Sequence, residues 1–289
     1  MMLIIGCSNS RDLAKNISKN LKCDYSDLSV KKFPDGELYL KFETELKNQD
    51  VVLVQSLHPS DEALLELIFA IHTAKDLGAK KVRVVIPYLA YIRQDKRFNP
   101  GECVSSKIVG SLLNVADEII TIDPHLHRFK SLNEVFKTKA VKLSANDLIQ
   151  DYISKNFKDP VIIGPDAESY QWAQSIAKKI KASTAILQKD RINSYEVHVK
   201  LNSEINVRNK ELIIIDDIIS TGKTILEAIK VIKKLKPKSI TVISIHGIFA
   251  DPSTLDFIRE YSNSIITTNT IKNPYSKIDV SKLISDSLK

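Results

Sequence analysis

Short runs rich in Val and Ile recur along the chain, separated by longer stretches in which apolar residues return every three or four positions. The runs at 2–5 (MLII), 51–54 (VVLV), 82–86 (VRVVI), 118–122 (EIITI), 161–164 (VIIG), 212–215 (LIII) and 240–245 (ITVISI) predict strands. Helices are expected near 10–21, 61–77, 104–115, 145–155, 169–180 and 223–235. Strands so continuously apolar are buried on both faces, and their alternation with helices predicts an α/β fold of mainly parallel sheets flanked by helices.

The pattern also repeats. VVLVQSLHPSDEALLE at 51–66 aligns without gaps on LIIIDDIISTGKTILE at 212–227, and LGAKKVRVV from Leu77 matches LKPKSITVI from Leu235 after a short slip. The opening strands LIIGCSNS at 3–10 and VIIGPDAES at 161–169 form a further pair. Their common order points to an ancestral duplication. Two domains are expected, 1–143 and 144–289, with the boundary near 142–146, before a helix entered by Ser144 and Asn146.

Composition narrows the class. A chain of 289 residues accommodates two domains, and 43% hydrophobic with 27% charged residues is the balance of a globular protein. Three scattered cysteines, Cys7, Cys23 and Cys103, supply neither a disulfide framework nor a zinc site. The apolar N-terminus lacks a basic leader and a cleavage site, so it reads as a strand and the protein as cytoplasmic. No apolar run approaches the roughly 20 residues that cross a bilayer. The net charge of +7 sits largely on helical stretches such as 230–238, a solvated face rather than a nucleic-acid-binding tail. Its other use is to draw in phosphorylated small molecules.

Candidate chemistry centres on IIIDDIISTGKT at 213–224. Gly222, Lys223 and Thr224 end like a nucleotide-binding P-loop, but Asp217 stands where the opening glycine belongs and Asp216 precedes it. Two carboxylates there repel a triphosphate. They suit a sugar instead, accepting hydrogen bonds from ribose hydroxyls or holding a hydrated Mg2+. Ser220, Thr221 and Thr224 offer hydroxyls, Gly222 allows a sharp turn, and the helix that follows favours a phosphate at its N-terminus. Where this stretch has Asp216-Asp217 and STGKT, the first half has Gln55-Ser56 and PSDEA, so one half kept an acid-plus-turn site and the other did not.

DDIISTGKT resembles the loop that binds ribose 5-phosphate or phosphoribosyl diphosphate in phosphoribosyltransferases and in ribose-phosphate diphosphokinases, the PRPP synthetases. FPDGEL at 33–38, PYLAYIRQDKR at 87–97, DPH at 123–125, GPDAES at 164–169 and QKDR at 188–191 resemble PRPP synthetase motifs in that family's order, over nearly the whole chain. The resemblance implies two tandem type I phosphoribosyltransferase-like domains, the first on the ATP side with the oligomer contacts, the second with the ribose 5-phosphate site, and the C-terminal tail free to pack back on the first. It implies transfer of the β,γ-pyrophosphoryl group of ATP to the C1 hydroxyl of ribose 5-phosphate, giving PRPP and AMP for nucleotide biosynthesis.

The same resemblance suggests roles. Phe33, Asp35, Gly36 and Glu37 would hold the adenine of ATP, reaching it in a neighbouring subunit, although PDG equally signals an exposed turn. Arg93 and Gln94 would contact ATP, where a guanidinium can bind phosphate oxygens bidentately; the bland alternative is a solvated basic loop. His125 and Asp166 would be the metal positions for Mg2+, His127 being adjacent but outside the motif. Lys189 and Arg191 would be the catalytic cations, Arg191 also near the sugar phosphate, with Asp216, Asp217, Ser220, Thr221, Gly222, Lys223 and Thr224 binding ribose 5-phosphate. Self-association as a dimer or higher is implied, with no nucleic acid or membrane partner. The chain departs from the family pattern at Glu168, an acid beside the pyrophosphate path, at Ser220, where an acid is common, and at Lys223, where a small residue is common. A phosphoribosyltransferase that consumes PRPP, and an inactive regulatory paralogue, are the competing readings.

Overall fold

The computed structural model describes residues 1–126, 128–191, 197–202 and 207–289. They form two compact units. The first comprises Met1–Ala145, Thr270–Lys272 and Val280–Lys289, the second Asn146–Asn269 and Asn273–Asp279. The units divide between Ala145 and Asn146, and the segment from Val280 onward belongs to the first unit although it follows the second in sequence.

In the first unit the strands are β1 (Met2–Gly6), β2 (Asp24–Lys32), β3 (Leu38–Phe42), β4 (Asp50–Val54), β5 (Lys81–Ile86), β6 (Glu118–Ile122) and β7 (Lys139–Leu143). They make one sheet in the order β3-β2-β1-β4-β5-β6-β7, antiparallel only at the β2–β3 hairpin. Helices α1 (Arg11–Leu21), α2 (Ser60–Asp76) and α3 (Ser105–Leu113) connect the parallel strands. The expected apolar runs are the central strands, and residues such as Ile4, Ile5, Val52 and Leu53 are fully buried. Each such side chain contributes about 1.5–3 kcal/mol over its exposed state, so the core lies along the middle of the sheet. Glu118 opens β6 with a buried carboxylate that accepts from Lys139 at 2.6 Å and Lys81 at 3.3 Å. Burial pushes its pKa up, but the two lysines outweigh burial and hold the group below the usual carboxylate range.

The second unit contains α4 (Asn146–Asn156), β8 (Val161–Gly164), α5 (Ala167–Ile180), β9 (Ser183–Arg191), β10 (Val197–Asn202), β11 (Glu211–Ile219), α6 (Lys223–Lys233), β12 (Ser239–Gly247), α7 (Pro252–Tyr261), β13 (Ser264–Thr268) and β14 (Ser276–Ile278). Its sheet runs β10-β9-β8-β11-β12-β13-β14, the order of the first sheet repeated strand for strand. The duplication read from sequence is thus a duplicated topology, in which β4 and β11 are counterparts and the β2–β3 hairpin corresponds to the β9–β10 hairpin. The last helix, α8 (Ser281–Leu288), belongs to the first unit. Ser281 Oγ accepts from Asn20 on α1 at 3.2 Å, and the Leu288 carbonyl accepts from buried Arg83 at 3.2 Å. No helix among the described residues is long and apolar enough to cross a membrane.

Candidate active site

In the second unit, β11 extends beyond its expected end. The apolar run suggested a strand ending at 215, but pairing with β12 continues through Asp216↔Ser244 to Ile219↔Gly247. Asp216 and Asp217 therefore stand on the strand itself, leaving Ser220, Thr221 and Gly222 as the turn before α6. That turn is pinned from the loop after β12: Ile248 and Phe249 donate to the Ile219 carbonyl at 2.9 and 3.2 Å, and Ala250 to the Ser220 carbonyl at 2.9 Å. Gly222 takes φ +82°, and a Cβ there would meet Ile258 Cδ1 at 2.8 Å, so both backbone conformation and packing select glycine. Lys223 and Thr224 follow as the first residues of α6, whose opening N–H groups have no partner within the helix and face outward with its positive dipole end.

β8 lies beside β11 in parallel, with Ile163 opposite Ile214, so the loop after β8 emerges next to the acidic pair. Asp166 caps α5, accepting from the Ser169 backbone at 2.9 Å. The Ser169 hydroxyl donates to Asp216 Oδ1 at 2.8 Å, and the Asp217 backbone N–H donates to the same oxygen at 3.0 Å. Gly164 permits this approach, because a Cβ on it would lie 2.6 Å from Tyr170 Cα. Burial pushes the Asp216 carboxyl well up, Asp217's charge pushes it further, the Ser169 hydroxyl pulls it back, and Asp166 adds to the rise. Ser169 is the residue that the sequence reading quoted without a role. Its signal was the spacing, a hydroxyl three residues after an N-cap aspartate.

Lys189 and Arg191 occupy the last part of β9, where the backbone pairs Lys189 with Val199 and Arg191 with Val197. Their side chains, and that of Glu168, lie outside the described residues, as does His127 altogether. Lys189 and Arg191 thus both stand on one strand of the β9–β10 hairpin.

In the first unit the Phe33–Glu37 turn closes the β2–β3 hairpin. Phe33 donates to the Glu37 carbonyl and Gly36 to the Phe33 carbonyl, both at 2.8 Å, and Asp35 Oδ1 accepts from the Glu37 backbone at 3.1 Å. Phe33 is 49% exposed and meets Tyr39 edge-on at 5.7 Å. Gly36 and Glu37 line a cavity of about 710 Å³ with Ser8, Asn9, Glu62 and Glu66. Arg93 and Gln94 follow β5, and half-buried His125 follows β6, its parallel neighbour, so these three share one edge of the sheet. Strands β1 and β4 stand between β2 and β5, roughly 14 Å across the sheet, yet both segments reach the first turn of α2, where Lys32 donates to Glu62 and Tyr91 to Asp61.

The first unit's counterpart of the acidic pair is engaged internally. Gln55 Oε1 accepts from the Asn9 backbone at 3.1 Å, Ser56 N–H donates to Ser10 at 2.9 Å, and the Ser56 hydroxyl donates to the Thr270 carbonyl. No group of three His, Cys, Asp or Glu side chains that could hold a metal is found among the described residues. Asp166 is a single carboxylate, which fits an ion that takes most of its oxygens from phosphate and water.

Residues 2–116 match the family model described as the N-terminal domain of ribose phosphate pyrophosphokinase, and residues 131–281 match that of the phosphoribosyl transferase domain. Ribose-phosphate pyrophosphokinases of Methanobrevibacter smithii and Methanothermobacter thermautotrophicus are each 38% identical, over 99% of this chain and 100% of theirs. The chain belongs to the ribose-phosphate pyrophosphokinase family. The relative from Saccharolobus solfataricus is 35% identical over 99% of this chain. The crystal structure of phosphoribosylpyrophosphate synthetase from Mycobacterium smegmatis, 23% identical, has the same fold, with a TM-score of 0.87 over 99% of this chain and 97% of that one. As a ribose-phosphate pyrophosphokinase family member the chain is an enzyme of two phosphoribosyltransferase-type domains. A phosphoribosyltransferase domain alone accounts for 131–281 and leaves 2–116 unexplained.

Proposed function

We propose that the protein transfers the β,γ-pyrophosphoryl group of ATP to the C1 hydroxyl of ribose 5-phosphate, releasing AMP and 5-phosphoribosyl 1-diphosphate. The observation that carries this reading is the run from Asp216 to Thr224: two acids on a strand, a three-residue turn through a left-handed glycine, and a helix N-terminus. The acids accept from ribose hydroxyls, while the turn hydroxyls, the first N–H groups of α6 and Lys223 hold the 5-phosphate. The C1 oxygen bonds to the β-phosphorus as the bond from that phosphorus to AMP breaks. Lys189 and Arg191 offset the charge developing on the transferred group and on departing AMP, the kind of electrostatic help worth about 10³–10⁵ in phosphoryl transfer.

Phe33, Asp35, Gly36 and Glu37 bind the base of ATP, and Arg93 and Gln94 its phosphates. Phe33, 49% exposed on its turn, leaves a ring face open to the nucleotide of a second copy, which supports self-association. His125 in the first unit and Asp166 in the second would each be a ligand position for Mg2+, which when bound neutralises phosphate charge. Three free cysteines, one of them exposed, suit a reducing cytoplasm. The test is AMP release with ATP, Mg2+ and ribose 5-phosphate: AMP should appear only when all three are present, and its absence under every condition rejects the proposal.

A further inference from the structure

We infer that Arg128 is a positioning residue for the nucleotide site, locking the loop that carries Arg93 and Gln94 onto the loop that carries His125. This rests on the proposed reading that those three residues meet ATP. Asp95 directly follows Gln94, and its side chain is only 3% exposed, whereas that of Arg128, three residues beyond His125, is 50% exposed. Arg128 Nη1 donates to Asp95 Oδ1 at 2.8 Å. The two loops leave adjacent parallel strands, with Ile86 opposite Thr121, so the pair spans neighbouring connections on one edge of the sheet.

The Arg93 loop is fixed on its other side by the start of α3. The Gln94 carbonyl accepts from the Ser106 backbone at 3.3 Å and its hydroxyl at 3.1 Å, and the Tyr91 carbonyl accepts from Ser105 at 2.8 Å. Arg128 also lies over the Phe98 ring, 5.2 Å from its centre, with the Lys96 ammonium 5.3 Å from the same centre. Beyond Phe98 the loop is tied by Glu102, which accepts from the Phe98 and Asn99 backbones at 2.8 and 3.0 Å. Removing the guanidinium leaves a desolvated carboxylate without this partner next to Gln94, and the least costly response is for the loop to move so that Asp95 reaches water. Such movement displaces Arg93 and Gln94 relative to His125. It does not touch the sugar site, whose residues belong to other strands. Lysine keeps the charge but not the planar contact with Phe98.

Steady-state kinetics on the full chain test this. Arg128→Met should raise KM for ATP about tenfold or more, leaving KM for ribose 5-phosphate within about twofold and Tm nearly unchanged. Arg128→Lys should recover part of the loss. Asp95→Asn should reproduce the ATP defect, and the double variant should be no worse than either single one, because the two act through one contact. An active wild type with an unaltered KM for ATP in Arg128→Met overturns the inference alone, as does a parallel rise of both KM values with a falling Tm. A wild type that releases no AMP overturns the functional reading and the inference with it. If Arg128→Met does not fold, Arg128→Lys and Asp95→Asn carry the same comparison.

Discussion

Ser169 donates its hydroxyl to Asp216 at 2.8 Å, joining the first turn of α5 to the acidic pair on β11. A hydrogen bond to a charged group is worth about 1.5–3 kcal/mol, which corresponds to roughly a tenfold to hundredfold effect. Ser169→Ala should therefore raise KM for ribose 5-phosphate by about tenfold while changing KM for ATP far less. Equal effects on the two substrates would show that Ser169 supports the fold rather than the sugar site.

Asp216 should also reveal itself in stability. Its folded-state pKa is raised, by burial first and then by Asp217, so the folded chain holds this proton more tightly than the unfolded one. Its contribution to stability is complete below the ordinary carboxylate pKa of about 3.9 and is lost as pH rises through the raised folded value. Asp216→Asn, whose side-chain oxygen still accepts from Ser169, avoids the cost of a buried charge. In calorimetry without divalent cations its Tm should exceed that of the wild type at pH 8 by on the order of 2 °C or more, and the advantage should shrink toward pH 4. Turnover should fall in the same variant. A Tm difference that does not vary with pH would contradict the assignment.

Lys189→Ala should reduce kcat by orders of magnitude with no change in Tm, as expected of a cation that acts on the transition state rather than on the fold. An unchanged rate removes Lys189 from the catalytic role.

What the sequence made legible follows from burial. Central strands such as β1, β4 and β11 are apolar on both faces and stand out as Val and Ile runs. Strands β2, β3 and β7 alternate or mix polar and apolar residues because they lie at or near a sheet edge, and none of them was anticipated. Helix α7 was likewise missed. Pro252 obscures its start, which the structure explains by Asp251 accepting from the Ser253 and Thr254 backbones while proline occupies the first turn, where no N–H is needed. The acidic pair and its turn were legible because they are contiguous. The Asp95–Arg128 and Ser169–Asp216 contacts were not, since the first joins loops after different strands and the second joins a helix to a strand, and only the register of the sheets places the partners together.

The exposed Phe33 turn, proposed to reach the nucleotide of a second copy, predicts complementation between copies. Phe33→Ala and Arg93→Ala should each be impaired alone. Mixed and reassembled in equal amounts, they should recover up to about a quarter of wild-type activity if two copies share each site, because half the pairs are mixed and each mixed pair has one intact site. Recovery no greater than the sum of the single variants would place the whole site within one chain.

The central claim is that a pyrophosphoryl group moves intact to the sugar that Asp216 and Asp217 hold. Phosphorus NMR of the products from ATP and ribose 5-phosphate tests it most directly. The account predicts AMP together with a sugar bearing two coupled phosphorus signals at C1 and its original 5-phosphate. Formation of ADP and a sugar with a single new phosphate would contradict it.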